Sequence, residues 1–297
     1  HVATTGPAAE HWQQNYYAAI ACSTVNELHS RDCKPRFAGR GGMGSILGSK
    51  NLVAIVAQAP DIHRGKLSAA VLAANKEISR GAGSRNYREA HKANGNGGTW
   101  RNIAGLHPAG ALPEMNFWPQ GNEKPVALYR DSMEQDYFIK DESCFKCGIG
   151  CHKNVYAAEE KSGRRKPGQF FAKLDYEPLD LLTINLGIYD PQAALEIVEL
   201  ADQLGFDSIS LGVTLGYIME YNQHHPQQPI GDGLSFGDVD GVVRLIRDTA
   251  AGRCPELGRG VKRLADQRED TAYAMHCKGL ELPAYLPETN PGYPFAI

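Results

Sequence analysis

Cys144-Phe-Lys-Cys147-Gly-Ile-Gly-Cys151 sets three thiols at C-x2-C-x3-C within one short loop. Soft thiolate ligands in such a run suit an iron–sulfur cluster or a thiolate-rich zinc site. A c-type haem needs C-x-x-C-H; His152 does follow Cys151, but three residues separate Cys151 from Cys147, so that motif is not met. Structural zinc sites usually come as two C-x-x-C knuckles or as a Cys pair with a His pair. Here Cys22, Cys33, Cys254 and Cys277 stand singly and supply no second knuckle. The spacing therefore favours an iron–sulfur cluster and leaves zinc or unligated thiols open. A four-iron cluster needs a fourth ligand from elsewhere.

Working outward, 297 residues can bury a substantial core as one large domain or two smaller ones. Lys and Arg total 31 against 34 Asp and Glu, which gives no electrostatic reason to expect nucleic acid or an anionic membrane. No apolar run reaches the length of a membrane span, and nothing at the start reads as a signal peptide. Seven cysteines, three of them packed together, suit ligands in a reducing, cytoplasmic setting better than a secreted disulfide framework. The chain begins at His1 without Met and stops at Pro291-Gly-Tyr-Pro-Phe-Ala-Ile297, so both ends read as cuts through a longer protein.

Four blocks follow from the pattern. Residues 7–30 read as helical, and Leu52 to Ala57 as a buried strand bounded by Pro60. Residues 61–140 are polar and interrupted by glycines and prolines, as expected of a long, partly irregular segment. From Pro191 onward, apolar residues such as Leu195, Val198, Ile209, Val213, Ile218, Val242 and Ile246 recur at helical spacing, with Gly205 and Gly252 as breaks.

A second chemical element runs from Arg36-Phe37-Ala38-Gly39-Arg40-Gly41-Gly42-Met43-Gly44 to Gly48-Ser49-Lys50. Gly39, Gly41 and Gly44 match G-x-G-x-x-G, but a dinucleotide fingerprint follows a strand and opens a helix, and the expected strand comes afterwards. Ser49 between Gly48 and Lys50 rules out a P-loop. What remains is a loop of exposed backbone N–H groups between two arginines, able to hold a phosphate-bearing ligand. A flexible turn with surface arginines is the plainer alternative.

Taken together these elements resemble the aldehyde:ferredoxin oxidoreductase family of tungsten- or molybdenum-pterin enzymes. The resemblance extends through Gly6-Pro7-Ala8, Arg36 to Leu52, Cys144 to Cys151, Asp175-Tyr-Glu177, Asp202-Gln-Leu-Gly205-Phe206-Asp207-Ser208 and His276-Cys-Lys278-Gly279-Leu-Glu281-Leu-Pro283-Ala-Tyr285. It implies a mainly α fold with a small β component. Residues 1–60 would end the N-terminal pterin-binding β domain. Residues 61–207 would form a central domain with the cluster cysteines and first pterin loop, and 208–297 a helical region truncated at its C-terminus. The fourth cluster cysteine and a second pterin loop of the D-x-x-G-L type are expected beyond Ile297.

By the same resemblance, Cys144, Cys147 and Cys151 would bind a 4Fe–4S cluster, with Cys254 and Cys277 not required. Arg36, Phe37, Gly39 and Arg40 would contact the pterin or its phosphate; Asp202, Phe206 and Asp207 would bind its other face, with Lys278 adding a cation. Glu177 would be the base for water and His276 the donor to the substrate oxygen. The implied cofactors are a tungstopterin or molybdopterin (bis-pterin), the cluster and a magnesium ion. The implied partners are ferredoxin or an iron–sulfur subunit, a small aldehyde and a second copy in a homo-oligomer. Two departures stand out: the family's arginine before the histidine falls near Ala272, and Glu196 fits the glutamate of a dimer-interface iron but lacks a matching His. A tungsten-dependent aryl-CoA reductase subunit of the benzoyl-CoA type and a non-catalytic iron–sulfur or zinc module are the alternatives. Without the resemblance, Glu177, Asp202, Asp207, His276 and Lys278 read as loop, capping or solvated residues.

Overall fold

The computed structural model describes residues 1–23, 36–58, 68–81, 98–142, 144 and 151–289. Strands β1 (Val2–Thr5), β2 (Ile20–Ser23), β3 (Arg36–Ala38) and β4 (Ala54–Val56) form an antiparallel sheet in the order β3-β2-β1-β4. Helix α1 is only Pro7–Glu10, opened by Pro at its first position. Within residues 7–23, the described part of the helix expected over 7–30, helix is confined to one turn. Residues 20–23 hydrogen-bond to strands on both sides, and that pairing overrides local propensity; residues 24–30 lie outside the described residues.

Helix α2 (Met43–Ser49) follows the glycine-rich loop. The expected buried strand at 52–57 is instead the short outer strand β4, with Val53, Ile55 and Val56 66%, 53% and 67% exposed. An apolar run signals a strand but does not say whether its faces are covered, and among the described residues nothing packs over this edge.

Helix α3 (Ala69–Arg80) is capped by the Ser68 hydroxyl, which accepts from the Val71 N–H, and none of its residues is buried. The short helices α4 (Asn102–Leu106) and α5 (Arg130–Asp136) lead into an antiparallel sheet of β5 (Tyr137–Glu142), β6 (His152–Lys161) and β7 (Arg164–Leu174). Ser162 and Gly163 turn the β6–β7 hairpin with φ of 55° and 69°, the left-handed pair that a two-residue I′ loop needs.

Strand β7 runs directly into α6 (Tyr176–Leu182), whose Tyr176, Leu179, Leu181 and Leu182 are buried. Helix α7 (Pro191–Leu204) is capped by Asp190 and ended by Gly205 at φ 77°. Helix α8 (Ser208–His224) is apolar nearly all round, with twelve buried residues, as expected of a helix at the centre of a core. It packs against α6, α10 (Pro255–Gly258), α11 (Val261–Arg268) and the small hairpin β8 (His276–Cys277)–β9 (Leu280–Glu281), while α9 (Val239–Ala250) flanks α7. Gly6 and Gly205 meet back to back: a Cβ on Gly6 would lie 2.7 Å from the Leu204 carbonyl oxygen. That contact fastens the N-terminal sheet to the end of α7. The fold is mainly α with small sheets, as expected. No described helix is long and apolar enough to cross a membrane.

Candidate functional site

Strand β3 presents successive side chains to opposite sides, as the period of two requires. Arg36 turns one way and donates from Nη1 to Asp175 Oδ2 at 2.9 Å, just before α6. Burial alone would disfavour its charge. Asp175 chiefly, and to a lesser degree the thiolate forms of Cys144 and Cys151, more than offset that, so its pKa is raised. Arg36 thus lies within electrostatic range of the thiolate forms of Cys144 and Cys151. The Cys151 end of their loop is packed tightly: a Cβ on Gly98 would fall 1.9 Å from the Cys151 carbonyl oxygen. Cys147 lies outside the described residues. Among the described residues no three His, Cys, Asp or Glu side chains form a metal-holding group.

Phe37 turns the other way, onto a cavity of about 230 Å³ lined also by Thr4, Thr5, Gly6, Lys173 and Asp202. Lys173 Nζ sits 5.0 Å over the Phe37 ring and 3.0 Å from Asp202 Oδ2. Burial raises the Asp202 pKa, and Lys173 only partly opposes it. The glycines of the loop divide into two groups. A Cβ on Gly44 would strike the Ala19 carbonyl oxygen at 2.3 Å, so Gly44 serves packing, whereas Gly39 and Gly41 face open space. Only the first part of the glycine run can thus meet a ligand.

Arg40 reaches across to the helical side. Its Nη2 donates to the Glu281 backbone oxygen at 2.7 Å, and its Nε lies 3.5 Å from Asp207 Oδ2. Asp207 caps α8 by accepting from the Ile209 and Ser210 N–H groups at 3.0 and 3.3 Å. Burial pushes the Asp207 pKa up, against Arg40 and these hydrogen bonds. Glu177 stands in the first turn of α6, its pKa raised chiefly by burial; Arg40 opposes the rise, and Asp207 and Asp175 add to it. Glu177, Arg40 and Asp207 thus form one electrostatic group.

His276 opens the β8–β9 hairpin, paired with Glu281. Its Nδ1 lies 3.3 Å from the Gly279 N–H, an acceptor role that leaves Nε2 to carry the proton. Lys278 and Gly279 form the turn at φ 53° and 94°, and Lys278 is exposed there. The Phe206 ring is buried 5.7 Å from Tyr17 and does not line the cavity. A larger cavity of about 400 Å³ adjoins the first beyond Glu199 and Gln203; Glu196 lines it, but none of the predicted site residues does.

Residues 1–59 match the family model for the N-terminal domain of aldehyde ferredoxin oxidoreductase, and residues 77–297 match that for its domains 2 and 3. The chain belongs to the aldehyde ferredoxin oxidoreductase family. Tungsten-containing aldehyde ferredoxin oxidoreductases of Pyrococcus abyssi and Pyrococcus furiosus are 31% and 29% identical to it, over 98% of this chain and 46% of theirs. The chain thus spans about half the length of these relatives. The WOR-like subunit of an aliphatic sulfonate oxidoreductase of Pyrococcus furiosus is 25% identical over 84% of the chain and 40% of its own length. In fold, the chain is similar to the active-site complex BamBC of benzoyl coenzyme A reductase in complex with 1,5-dienoyl-CoA. The TM-score is 0.65 at 16% identity, covering 96% of this chain and 42% of that one.

Within this aldehyde ferredoxin oxidoreductase family framework, Arg36 pairs with Asp175, and Arg40 lies beside Asp207 and within electrostatic range of Glu177, with Phe37 and Asp202 on the adjoining cavity. Phe206 lies in the core and Lys278 at an exposed turn. Three contributors were not singled out from sequence: Asp175, Lys173 and Ser210. Asp175 was within reach, since it opens the quoted Asp175-Tyr-Glu177 run. Lys173 carried no local signal, because its role depends on β7 passing beside the end of α7.

Proposed function

We propose that this chain forms the cofactor-binding part of an oxidoreductase that converts an aldehyde to a carboxylate at a tungsten- or molybdenum-pterin, with electrons leaving through a 4Fe–4S cluster to ferredoxin or an iron–sulfur subunit. The observation that carries this reading is the use of β3: Arg36 is held by Asp175 within electrostatic range of the thiolate forms of Cys144 and Cys151, while Phe37 lines the neighbouring cavity. Two cofactor sites separated by one strand suit a relay of electrons between them.

The donors and acceptors fit such cofactors. Asp202 and Lys173 supply a carboxylate and an ammonium for a ring edge, Phe37 an apolar wall, and Gly39 and Gly41 open backbone. The cavity is smaller than the roughly 300–1,000 Å³ of complete ligand pockets, so it would hold part of a ligand. Cys144, Cys147 and Cys151 would hold the cluster. When bound, the metal-pterin accepts an electron pair and the cluster passes electrons on singly. Glu177, whose pKa burial raises, would take a proton from water as the general base. His276 would donate from Nε2 to the substrate oxygen.

Elemental analysis and cofactor extraction of the full-length protein test the reading, together with turnover of an aldehyde, an aryl-CoA thioester and an aliphatic sulfonate. Tungsten or molybdenum, pterin, iron and preferential aldehyde oxidation are expected. Iron or zinc without pterin would reduce the chain to a binding module, and preference for the thioester or sulfonate would move the substrate class. Replacing Arg36 and Arg40 with Ala should lower pterin and metal content together while leaving most of the iron. Equal loss of iron and pterin would indicate general unfolding.

A further inference from the structure

Ser210 Oγ lies 2.7 Å from Asp207 Oδ2 and 2.7 Å from Glu281 Oε2. Both are ordinary O–H···O hydrogen-bond distances. A serine hydroxyl has one hydrogen, and an ionised carboxylate can only accept. Two such contacts therefore require one of the two carboxyl groups to be protonated and to donate to Ser210. The three side chains are sealed, at 3%, 1% and 4% exposed for Asp207, Ser210 and Glu281. Water cannot easily supply the missing donor, and two buried anions around one hydroxyl would be costly.

The surroundings decide which group keeps the proton. Asp207 accepts two N–H groups at the start of the 17-residue α8, where the helix dipole favours an anion, and Arg40 Nε lies 3.5 Å from its Oδ2. Glu281 also accepts two N–H groups, from Val261 at 2.9 Å at the start of the shorter α11 and from its own backbone, so the difference lies with Arg40, which addresses the Glu281 backbone oxygen but stands beside the Asp207 carboxylate. We propose that Glu281 is a resident carboxylic acid whose proton runs to Ser210, which in turn donates to an ionised Asp207.

This proton clamps the β8–β9 hairpin, in which Glu281 is the direct partner of His276, to the start of α8. It also leaves Asp207 as the ionised member of the Asp207–Glu281 pair beside Arg40. Glu281 is a positioning residue for His276 and Arg40, and the inference holds whatever substrate the site takes. Burial raises the pKa of both carboxyl groups, which agrees with one proton being retained between them.

Infrared spectroscopy of the full-length, cofactor-loaded protein with ¹³C-labelled glutamate side chains tests it. A protonated-carboxyl C=O band that carries the glutamate label should be present in wild type and lost in Glu281→Gln, with the fold and cofactor content retained because the amide can still donate to Ser210. In Ser210→Ala the same band should move to higher frequency as its hydrogen bond is lost, a readout available even where Glu281→Gln does not fold. A glutamate-labelled band unchanged in both variants, or an unlabelled protonated-carboxyl band that Asp207→Asn alone removes, would overturn the assignment.

Discussion

The two sides of the site are built differently. On one side β1–β4 form a thin sheet whose outer strand leaves Val53, Ile55 and Val56 exposed; on the other, α6, α7 and α8 bury nearly every apolar residue they carry. The sheet contributes cations, Arg36 and Arg40, at its edge and in the loop that follows. The helices contribute carboxylates, Glu177, Asp202 and Asp207, at or near their ends. A cation on a short strand can be stretched toward a ligand, whereas a carboxylate in a packed helix turn is held by burial and pays for it with a raised pKa. The thin side thus suits holding anionic cofactors and the packed side suits proton chemistry.

The sharpest way to break this division is to remove each function separately. On the cysteine side, Cys147→Ala should abolish or convert the electron paramagnetic resonance signal of the reduced cluster in anaerobically prepared full-length protein. Cys254→Ala and Cys277→Ala should leave it as it is. An unchanged signal in the Cys147 variant would end the cluster assignment.

On the helical side, Glu177→Gln keeps size and removes basicity. Loss of a general base costs about 10²–10⁴-fold in rate, so turnover should fall by that order with metal, pterin and iron retained. In wild type the acid limb of the rate profile should lie above the ordinary carboxylate range, because burial raises the Glu177 pKa and the base exists only above it. A fully loaded variant working at wild-type rate would make Glu177 structural.

The same contrast explains what the sequence could reveal. The helices from Pro191 onward were legible because their apolar residues repeat over several turns and because Asp207, Gly205 and Gly252 mark their limits. The sheet was not. Strands of three or four residues are too short for a period to register, and Ile20–Ser23 became a strand only through neighbours on both sides. The β6–β7 hairpin did carry a local signal, Ser162-Gly163 between apolar-polar runs, which went unused. The motif residues could be placed individually by resemblance, yet Phe206 reads in the structure as core and Asp207 as a cap bound to Ser210. Such roles depend on which helix end meets which strand, and no local pattern encodes that.

Packing gives a third, smaller contrast. Leu182 is fully buried, and Leu→Ala changes at such sites cost about 2–5 kcal/mol. Ile55 is 53% exposed, and substitutions at open positions stay within about 0.5 kcal/mol. Denaturant unfolding of the full-length protein should therefore separate Leu182→Ala from Ile55→Ala widely. Equal costs would show that β4 is covered in that protein and that the thin side is not thin.

The last contrast concerns Asp180, which lies one turn beyond Glu177 on α6. It is fully buried, and neither carboxylate oxygen has a hydrogen-bond partner among the described residues. Burial, then Glu114 and Glu177, hold its pKa well above the usual range. The folded state therefore keeps its proton where the unfolded chain, with an ordinary Asp pKa of about 3.9, has released it. More protons bound in the folded state make stability fall as pH rises, by about 1.4 kcal/mol per unit between the unfolded and folded pKa values. The contribution is complete below the unfolded pKa and gone above the folded one. Asp180→Asn cannot ionise, so its stability should match wild type near pH 3 and exceed it increasingly toward neutrality, with a flatter profile. Parallel profiles for the two proteins would mean that Asp180 finds a charged partner in solution. The packed side would then hold its carboxylates by pairing and not by burial.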